Sequence, residues 1–320
     1  MLRIGLIGAG WHAMADHAPA LRHCAEDEEF RGRVELSGVC DIDLAKAKIA
    51  AAQFGFRRAY DSVDVMLPDV DAVISIVPPG ALAATLPSIV KHSRPVLIEK
   101  PLGRDLAEAR RIAAALAGHP HMVSLNRRFD PGVALARQWL AKCAKQSPPK
   151  IVYGVMRRRD RTEPDFVWST GIHMTDLLCF LFGPLRVVNG YRVDHQLVAA
   201  ARGNDDLRVL IDIGPSANSV DEYIEGYGDD WDVKITTGTH RPWQVVGSRA
   251  GSVEIHATAN PATPPYIRNG TAHETAAFLR GVLSRKMRGL TAAADAMPGI
   301  ELAAAMQALD DAPAYHGTPQ

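Results

Sequence analysis

A glycine-rich motif near the start of the chain constrains the fold most. A short apolar run, Leu2 to Ile7, is followed at once by Gly8-Ala9-Gly10-Trp11-His12-Ala13. This spacing matches G-x-G-x-x-(G/A): the first glycine permits a tight turn, the second lets the backbone approach a pyrophosphate, and the third small residue lets a helix pack on the strand. Amide groups at the amino end of that helix hold the phosphates. The motif predicts a dinucleotide site, with a purely structural turn as the alternative. The predicted cofactor contacts are Gly8, Gly10, Trp11 and His12.

An acidic residue follows the second apolar run, Val34 to Cys40. In dinucleotide-binding folds a carboxylate at this point binds the adenosine ribose hydroxyls. Asp41 comes 31 positions after Gly10, more than the usual distance of about 20, and we interpret residues 26–32 as a surface insertion that accounts for the excess. A carboxylate repels a 2′-phosphate, so Asp41 favours NAD over NADP, with NADP still possible. In the alternative interpretation Asp41 only begins the next turn and Asp43 caps a helix.

Short apolar runs alternate with helical stretches over the first 125 or so residues, which is typical of a parallel sheet wrapped by helices. Helix starts are indicated by Asp43, by Asp105 with Glu108 three residues later, and by Asp130 before Pro131. We therefore predict a Rossmann doubly wound parallel sheet, an NAD(P)-binding domain over residues 1–125. The predicted strands are residues 2–7, 34–40, 72–77, 95–98 and, more weakly, 122–125.

The pattern changes after the polar, proline-containing stretch 142–150. Longer alternating segments follow, with one helical stretch, Ile172 to Phe182, before most of them. They predict an α+β domain over residues 126–320 for substrate binding and oligomerisation, with a large mixed or antiparallel sheet and too few helices to cover both faces. The end of the chain, from Thr271 to Leu309, is helical in period with breaks near Gly289 and Pro298. The alternating segments are residues 151–159, 185–193, 207–214, 231–238 and 252–259.

Charge and cysteine content exclude several classes of protein. The 36 Lys and Arg residues balance 36 Asp and Glu residues, so no bulk field attracts nucleic acid or a membrane surface. No apolar run reaches the roughly 18 residues that span a bilayer, and the amino terminus lacks a signal-peptide pattern. Four cysteines without a C-x-x-C pair are typical of reduced thiols, and we predict a cytoplasmic protein. No metal site is predicted, because the histidine pairs 12/17 and 119/121 lack a third ligand at a plausible spacing.

Several motifs in order resemble the Gfo/Idh/MocA oxidoreductase family. The element Glu99-Lys100-Pro101-Leu102 follows the fifth predicted strand and joins the glycine motif. Residues 70–79 (VDAVISIVPP) resemble the family's fourth strand and its nicotinamide loop, which places Val77 and Pro78 beside the cofactor. Residues 125–131 (LNRRFDP) resemble the segment after its sixth strand, and residues 171–183 resemble its G-x-H-x-x-D helix.

The resemblance implies NAD(P)-dependent hydride transfer at a carbinol or carbonyl carbon of a sugar, cyclitol or sugar-derived compound. It places Glu99, Lys100 and His173 near the nicotinamide. Hydride transfer from a carbinol requires a base within hydrogen-bond reach of the hydroxyl, and His173 suits this because its ordinary pKa is about 6.5. Lys100 can donate to the developing alkoxide.

Three further residues are candidates for substrate contact. Asp176 follows His173 by three residues and so shares its helix face, with a buried structural acid as the alternative. Arg127 resembles a substrate-contacting position, while its neighbour Arg128 can equally form a salt bridge. Trp168 either walls the pocket or packs in an ordinary way.

Two departures from the family pattern concern the substrate. Ser169 stands where polyol-oxidising members commonly carry an aspartate, and Leu82 stands where the family's P-x-x-x-H loop has its histidine. We therefore expect a modified or acidic sugar, whose charge arginines could meet. A sensor that has lost chemistry and an NAD-assisted glycoside hydrolase remain alternative functions. Family members pair through open sheet faces, so we expect a homodimer or a dimer of dimers.

Overall fold

The first part of the chain forms a six-stranded parallel sheet in the computed structural model, which describes residues 1–216, 218, 220–287 and 290–310. The strand order is β3-β2-β1-β4-β5-β6, the doubly wound order of a Rossmann fold. The predicted fold class is therefore confirmed. The strands are β1 (Leu2–Ile7), β2 (Val34–Cys40), β3 (Arg58–Tyr60), β4 (Ala72–Ser75), β5 (Val96–Glu99) and β6 (His121–Ser124).

Apolar side chains of this sheet divide between two hydrophobic clusters. Val73 belongs to one cluster and its neighbour Ile74 to the other, and both side chains are fully buried. Because successive side chains of a strand point to opposite faces, both faces are covered, and helices supply the covering side chains. These helices are α1 (Ala18–Glu26), α2 (Leu44–Phe54), α3 (Val63–Met66), α4 (Pro79–Lys91) and α5 (Leu106–Ala115).

The helix starts predicted from acidic residues are present. The Asp43 carboxylate accepts hydrogen bonds from the amides of Ala45 and Lys46, and that of Asp105 accepts one from the Glu108 amide. Such side-chain caps satisfy amide groups that have no partner within the helix, at about 1 kcal/mol each. Asp130 caps α6 (Pro131–Cys143) in the same way.

A mixed eight-stranded sheet follows, in the order β14-β13-β12-β11-β7-β10-β9-β8. Strands β7 and β10 are parallel, and the other neighbours are antiparallel. Three of these strands, β9, β11 and β13, were not predicted from the sequence. The strands are β7 (Ile151–Arg159), β8 (Arg186–Val193), β9 (Gln196–Arg202), β10 (Arg208–Ser216), β11 (Asp221–Tyr227), β12 (Trp231–Thr236), β13 (Gln244–Arg249) and β14 (Ser252–Thr258).

One face of this second sheet is covered by helices, among them α6 and α7 (Ile172–Phe182). A Cβ atom on Gly154 of β7 would lie 2.8 Å from the Leu178 side chain, so the glycine lets α7 approach the sheet closely. The other face exposes large apolar side chains. They include Tyr153, Val188, Tyr191, Leu210 and Tyr227.

The carboxyl-terminal helices return to the first sheet. They are α8 (Pro265–Arg268), α9 (Thr271–Ser284) and α10 (Ala293–Gln307). Phe278 and Leu279 of α9 are fully buried in a hydrophobic cluster of the first sheet, so the second part of the chain contributes to this core. The predicted division into residues 1–125 and 126–320 stays a prediction. The predicted break near Pro298 is wrong, because α10 continues through it and loses only the hydrogen bond that the missing N–H would make. Gly289, the other predicted break, lies outside the described residues.

Within the described part of the chain, none of the helices combines the length and apolarity needed to cross a membrane. The expected cytoplasmic location stays a prediction.

Candidate functional site

The glycine turn lies where β1 meets β4, at the carboxyl ends of both strands. Gly8 has a φ of +94°, and a Cβ atom there would lie 2.1 Å from the Ile76 carbonyl oxygen, so only glycine fits. A Cβ atom on Gly10 would meet no atom within 4 Å, which leaves open space in front of the backbone. This is the cradle that a pyrophosphate requires. Val77 and Pro78 follow β4 beside the turn, with Val77 half-buried and Pro78 exposed.

Asp41 lies at the carboxyl end of β2, next to the glycine turn. One carboxylate oxygen accepts a hydrogen bond from the Ala9 amide at 2.8 Å, and the other accepts one from the Asp43 amide at 2.9 Å. The first contact ties Asp41 to the predicted cofactor site, and the second is the turn of the alternative interpretation. The ribose-binding role of Asp41 therefore stays a prediction.

A π-helical turn, Ala13–His17, joins the glycine motif to α1. His12 and His17, one wider turn apart, have ring centroids separated by 5.0 Å. Trp11 is 81% exposed, and its expected cofactor contact stays a prediction. Single π turns inside helices occur frequently at functional sites.

Glu99, at the end of β5, bridges both histidines. Its Oε1 lies 3.5 Å from Nε2 of His12, and its Oε2 lies 3.4 Å from Nε2 of His17. Burial opposes the charge on His12, yet the Glu99 and Asp16 carboxylates outweigh it and raise its pKa to about 9. Burial likewise opposes the charge on Glu99, but the histidines and Lys100 hold its pKa well below the ordinary value. The cluster joins the buried His17 to the half-buried His12 and Glu99.

The sequence argument that His12 and His17 lack a third ligand is wrong. Glu99 supplies one, and the potential ligand atoms of the three side chains all lie within 4.8 Å of one another. The sequence hides this because Glu99 comes from a distant strand. Nζ of Lys100 lies 3.8 Å from Oε1 of Glu99, and this positive charge opposes a divalent cation at the same carboxylate.

Lys100 and His173 occupy one buried, charged region. Nζ of Lys100 donates to the Ser169 carbonyl oxygen at 3.0 Å, and burial lowers the pKa of Lys100 while Glu99 opposes the shift. His173, near the start of α7, is 8% exposed. Burial and the positive charges of Arg127 and Lys100 hold the pKa of His173 well below its ordinary value. The shift favours the uncharged form of His173, which is the form that can accept a proton.

Three buried polar atoms in this region have no hydrogen-bond partner among the described residues. They are Oγ of Ser169, Nδ1 of His173 and Nη1 of Arg158. Buried polar groups in folded proteins are almost always satisfied, so such a group indicates space for a polar ligand or water. The charges of these residues also act on one another, since Arg158 contributes to the lowered pKa of both His173 and Lys100.

The side chain of Arg127, predicted to contact substrate, already forms hydrogen bonds within the protein. Its Nε donates to Oε1 of Glu222 at 3.0 Å, and its Nη1 donates to Oδ1 of Asn126 at 2.9 Å. Arg158 of β7 shares Glu222 through its own Nη2. Neither Arg158 nor Glu222 was predicted as a site residue, and the substrate contact expected for Arg127 stays a prediction.

Asp176 does not face the site as expected. Its oxygens accept hydrogen bonds from Nη2 and Nε of Arg128 at 2.6 and 2.9 Å, and Gly299 of α10 packs directly on its backbone. The structure corrects the predicted substrate contact to the alternative, a buried ion pair that attaches α7 to the segment after β6.

Two other sequence candidates pack within the protein. Nε1 of Trp168 donates to the Gly103 carbonyl oxygen at 3.0 Å, in a buried position, which favours the ordinary packing role. Leu82, where the family has a histidine, is buried in α4 within the core. Position 82 therefore offers no polar group.

Comparison with known proteins agrees with this architecture. The Gfo/Idh/MocA family model, described as an oxidoreductase family with an NAD-binding Rossmann fold, matches residues 2–127. An inositol 2-dehydrogenase of Acidothermus cellulolyticus is 30% identical over 226 residues, 66% of this chain and 62% of that protein. One from Mycolicibacterium smegmatis is 27% identical over 289 residues, 85% of this chain and 81% of that protein.

The fold extends beyond the matched part. An Agrobacterium radiobacter oxidoreductase, solved in complex with NAD+, L-tartaric acid and magnesium, superposes with a TM-score of 0.78 at 17% identity and covers 95% of this chain and 96% of that one. At this identity the likeness establishes the shared two-sheet fold alone. The match to the Gfo/Idh/MocA family model over residues 2–127 covers the Rossmann part of the chain, and the chain spans 62% of the length of the Acidothermus cellulolyticus relative.

Proposed function

We propose that the chain is an NAD-dependent oxidoreductase that transfers a hydride between the nicotinamide and a carbinol or carbonyl carbon of a polyhydroxy, sugar-like compound. The observation that carries the proposal is the buried region formed by Lys100 and His173. Lys100 directly follows β5, a strand of the same sheet that presents the glycine turn. A base, a cationic donor and a cofactor cradle are the parts that this chemistry needs.

The dinucleotide fits the residues present. The open space at Gly10 and the positive φ of Gly8 suit a pyrophosphate, and Asp41 suits the ribose hydroxyls. When bound, the nicotinamide supplies the carbon that accepts or gives the hydride. Because a carboxylate at position 41 repels a 2′-phosphate, we propose NAD as the preferred cofactor and NADP as the weaker one.

Each polar side chain has a separate task in oxidation. His173, whose pKa is lowered by burial and by its cationic neighbours, accepts the proton of the substrate hydroxyl in its uncharged form. Lys100 donates a hydrogen bond to the same oxygen and stabilises its developing negative charge, an effect that is typically worth about 3 to 4 kcal/mol. Glu99 favours the charged form of Lys100, since its carboxylate lies 3.8 Å from Nζ and opposes the lowering of the lysine pKa by burial.

The substrate class follows from the relatives and from the site together. Two relatives are named inositol 2-dehydrogenases, which supports a cyclic or sugar-like polyol. Oγ of Ser169 is buried and has no hydrogen-bond partner among the described residues, whereas the resemblance implies an aspartate there in polyol-oxidising members. We therefore keep sugars, cyclitols and their modified forms within the proposal.

The exposed apolar face of the second sheet supports a homo-oligomer. Tyr153 and Leu210 are 36% and 44% exposed, and they lie on the neighbouring strands β7 and β10. Contiguous exposed apolar surface is typical of an interaction site. We propose a homodimer or a dimer of dimers that covers this face.

The proposed reaction is tested by the absorbance of reduced nicotinamide with a panel of sugars, cyclitols and sugar acids. We expect net reduction of NAD with at least one compound. His173→Ala should lower kcat by roughly two to four orders of magnitude, and Lys100→Ala should lower it comparably, while NAD affinity changes little. The control is His195→Ala, since His195 is exposed in the turn between β8 and β9.

The outcomes separate the proposal from its alternatives. Product formation without net reduction of NAD would indicate NAD-assisted glycoside cleavage. Binding of NAD and sugar without any product would indicate a sensor. Full activity in both the His173 and Lys100 variants would contradict the proposed roles.

A further inference from the structure

A surplus of buried positive charge lies beside the proposed reaction site. Arg127 and Arg158 are 7% and 5% exposed, and one buried carboxylate, Glu222, binds both of them. A buried guanidinium without a counter-charge is costly. The pair therefore carries one positive charge that the described side chains in contact with it do not balance.

The neighbouring carboxylates are engaged elsewhere. Asp130 accepts hydrogen bonds from the amides of Gly132 and Gly238, and burial raises its pKa to about 7. Glu99 is already engaged by His12, His17 and Lys100. Arg161, the next cation towards the site, forms an ion pair with Glu163 and donates to Thr170. The surplus charge also affects the pKa of a neighbouring histidine. Burial and the charge of Arg158 lower the pKa of His240 to about 4.

Arg158 has a free hydrogen-bond donor for such an anion. Its Nη2 donates to Glu222, while Nη1 is buried and has no partner among the described residues. Arg127, by contrast, uses Nε and Nη2 on Glu222 and Nη1 on Asn126. Of the two arginines, Arg158 is thus the one with an unused N–H donor. Its positive charge also lowers the pKa values of Lys100 and His173.

We propose that Arg158 binds a carboxylate of the substrate, so that the natural substrate is a polyhydroxy acid. This inference rests on the proposed function, because it deepens the description of the same site. A single carboxylate balances the single surplus charge, whereas a phosphate monoester brings close to two negative charges. Arginine is also suited to carboxylates, since charge-assisted hydrogen bonds of this kind are about twice as strong as neutral ones.

The test compares matched acids and neutral parents. D-glucuronate and D-glucose, D-galacturonate and D-galactose, D-gluconate, and glucose 6-phosphate are assayed with NAD. We expect kcat/KM for the best acid to exceed that for its neutral parent by at least about 100-fold, because a site built for a polar group rejects analogues that lack it. The phosphate ester should be used no better than the neutral sugar.

Substitution of Arg158 tests whether this residue causes the preference for acids over neutral sugars. Arg158→Gln should raise KM for the acid at least tenfold and change KM for the neutral parent less than threefold, and Arg158→Lys should recover part of the loss. The control is Arg159→Gln, in the next residue of β7, which is exposed on the opposite face. Far-ultraviolet circular dichroism and the urea midpoint verify folding of each variant.

The two proposals fail in different ways. Equal use of acids and neutral sugars, or a preference for the phosphate ester, would overturn the carboxylate site while leaving an oxidoreductase. If no compound is turned over, calorimetric titration of the same acids into the NAD complex still decides the site. Binding that Arg158→Gln abolishes would support it, and the absence of binding or equal binding by both proteins would overturn it.

Discussion

Replacement of Glu222 by glutamine tests the charge balance of the buried arginines. Glu222 is 4% exposed and accepts hydrogen bonds from both Arg127 and Arg158. Glutamine keeps the size of the side chain but removes its charge, so two buried guanidinium groups lose their counter-charge. Removal of one partner from a buried ion pair costs about 3 to 5 kcal/mol. We expect the free energy of unfolding to fall by that amount.

A matched control lies on the same strand. Glu225 pairs with Lys234 at 2.6 Å on the opposite, more open face of β11, where the lysine side chain is 53% exposed. Exposed pairs contribute about 0 to 1 kcal/mol, so Glu225→Gln should change stability within that range. Urea unfolding followed by the fluorescence of the five tryptophans measures both variants, provided that the slope of the transition is unchanged.

The pH dependence of the stability difference between the parent protein and Glu222→Gln is a second, independent test. The positive charges of Arg127 and Arg158 outweigh burial and lower the pKa of Glu222 below its ordinary value of 4.5. A lowered carboxyl pKa stabilises the fold above the pKa of the unfolded chain, and this stabilisation is lost as pH falls below it. The difference between the parent protein and Glu222→Gln should therefore shrink below about pH 4.5. A loss no larger than that of Glu225→Gln, or a difference independent of pH, would refute the reasoning.

Three further predictions concern the cofactor and the assembly. Gly10→Val should leave the unfolding midpoint nearly unchanged, because no atom lies within 4 Å of the added Cβ. Calorimetry should show at least tenfold weaker NAD binding, and an unchanged NAD affinity would contradict the proposed pyrophosphate site. Asp41→Ala should narrow the preference for NAD over NADP in the same titration, and equal affinities in the parent protein would already count against Asp41. Leu210→Lys should dissociate the expected oligomer in light scattering by charging the exposed sheet face, and a parent protein with the single-chain mass of 34.7 kDa would contradict that interface.

The amino-terminal strands were predictable because of how parallel sheets are buried. Strands covered on both faces form continuous apolar runs, and the predicted bounds of β1 and β2 match the structure. Strand β3 was missed because it is a three-residue edge strand, Arg58–Tyr60, with no apolar run. In the second sheet the strands alternate, and β9, β11 and β13 were hidden by small or polar residues at the positions that face the core.

The site was predictable only where a motif fixes the position of a residue. Lys100 and His173 were predicted from motifs, and the charge of Lys100 acts on His173 in the structure, while their catalytic roles stay predictions. The contact of Glu99 with His12 and His17 was missed for two physical reasons. The π-helical turn changes which residues of the first helix share a face, and the partner carboxylate comes from the end of a different strand.

Arg158 shows what strand periodicity could have revealed. It lies in a run of three arginines, Arg157 to Arg159, which taken together indicate a solvated charged surface. Successive side chains of a strand alternate, and Val152 and Met156 set the buried phase of β7, so the middle arginine alone points into the protein. A buried arginine requires a carboxylate. Glu222 supplies it from β11, where it pairs in register with Met156. Because β11 was not predicted from the sequence, neither the counter-charge nor the surplus it leaves could be inferred before the fold was known.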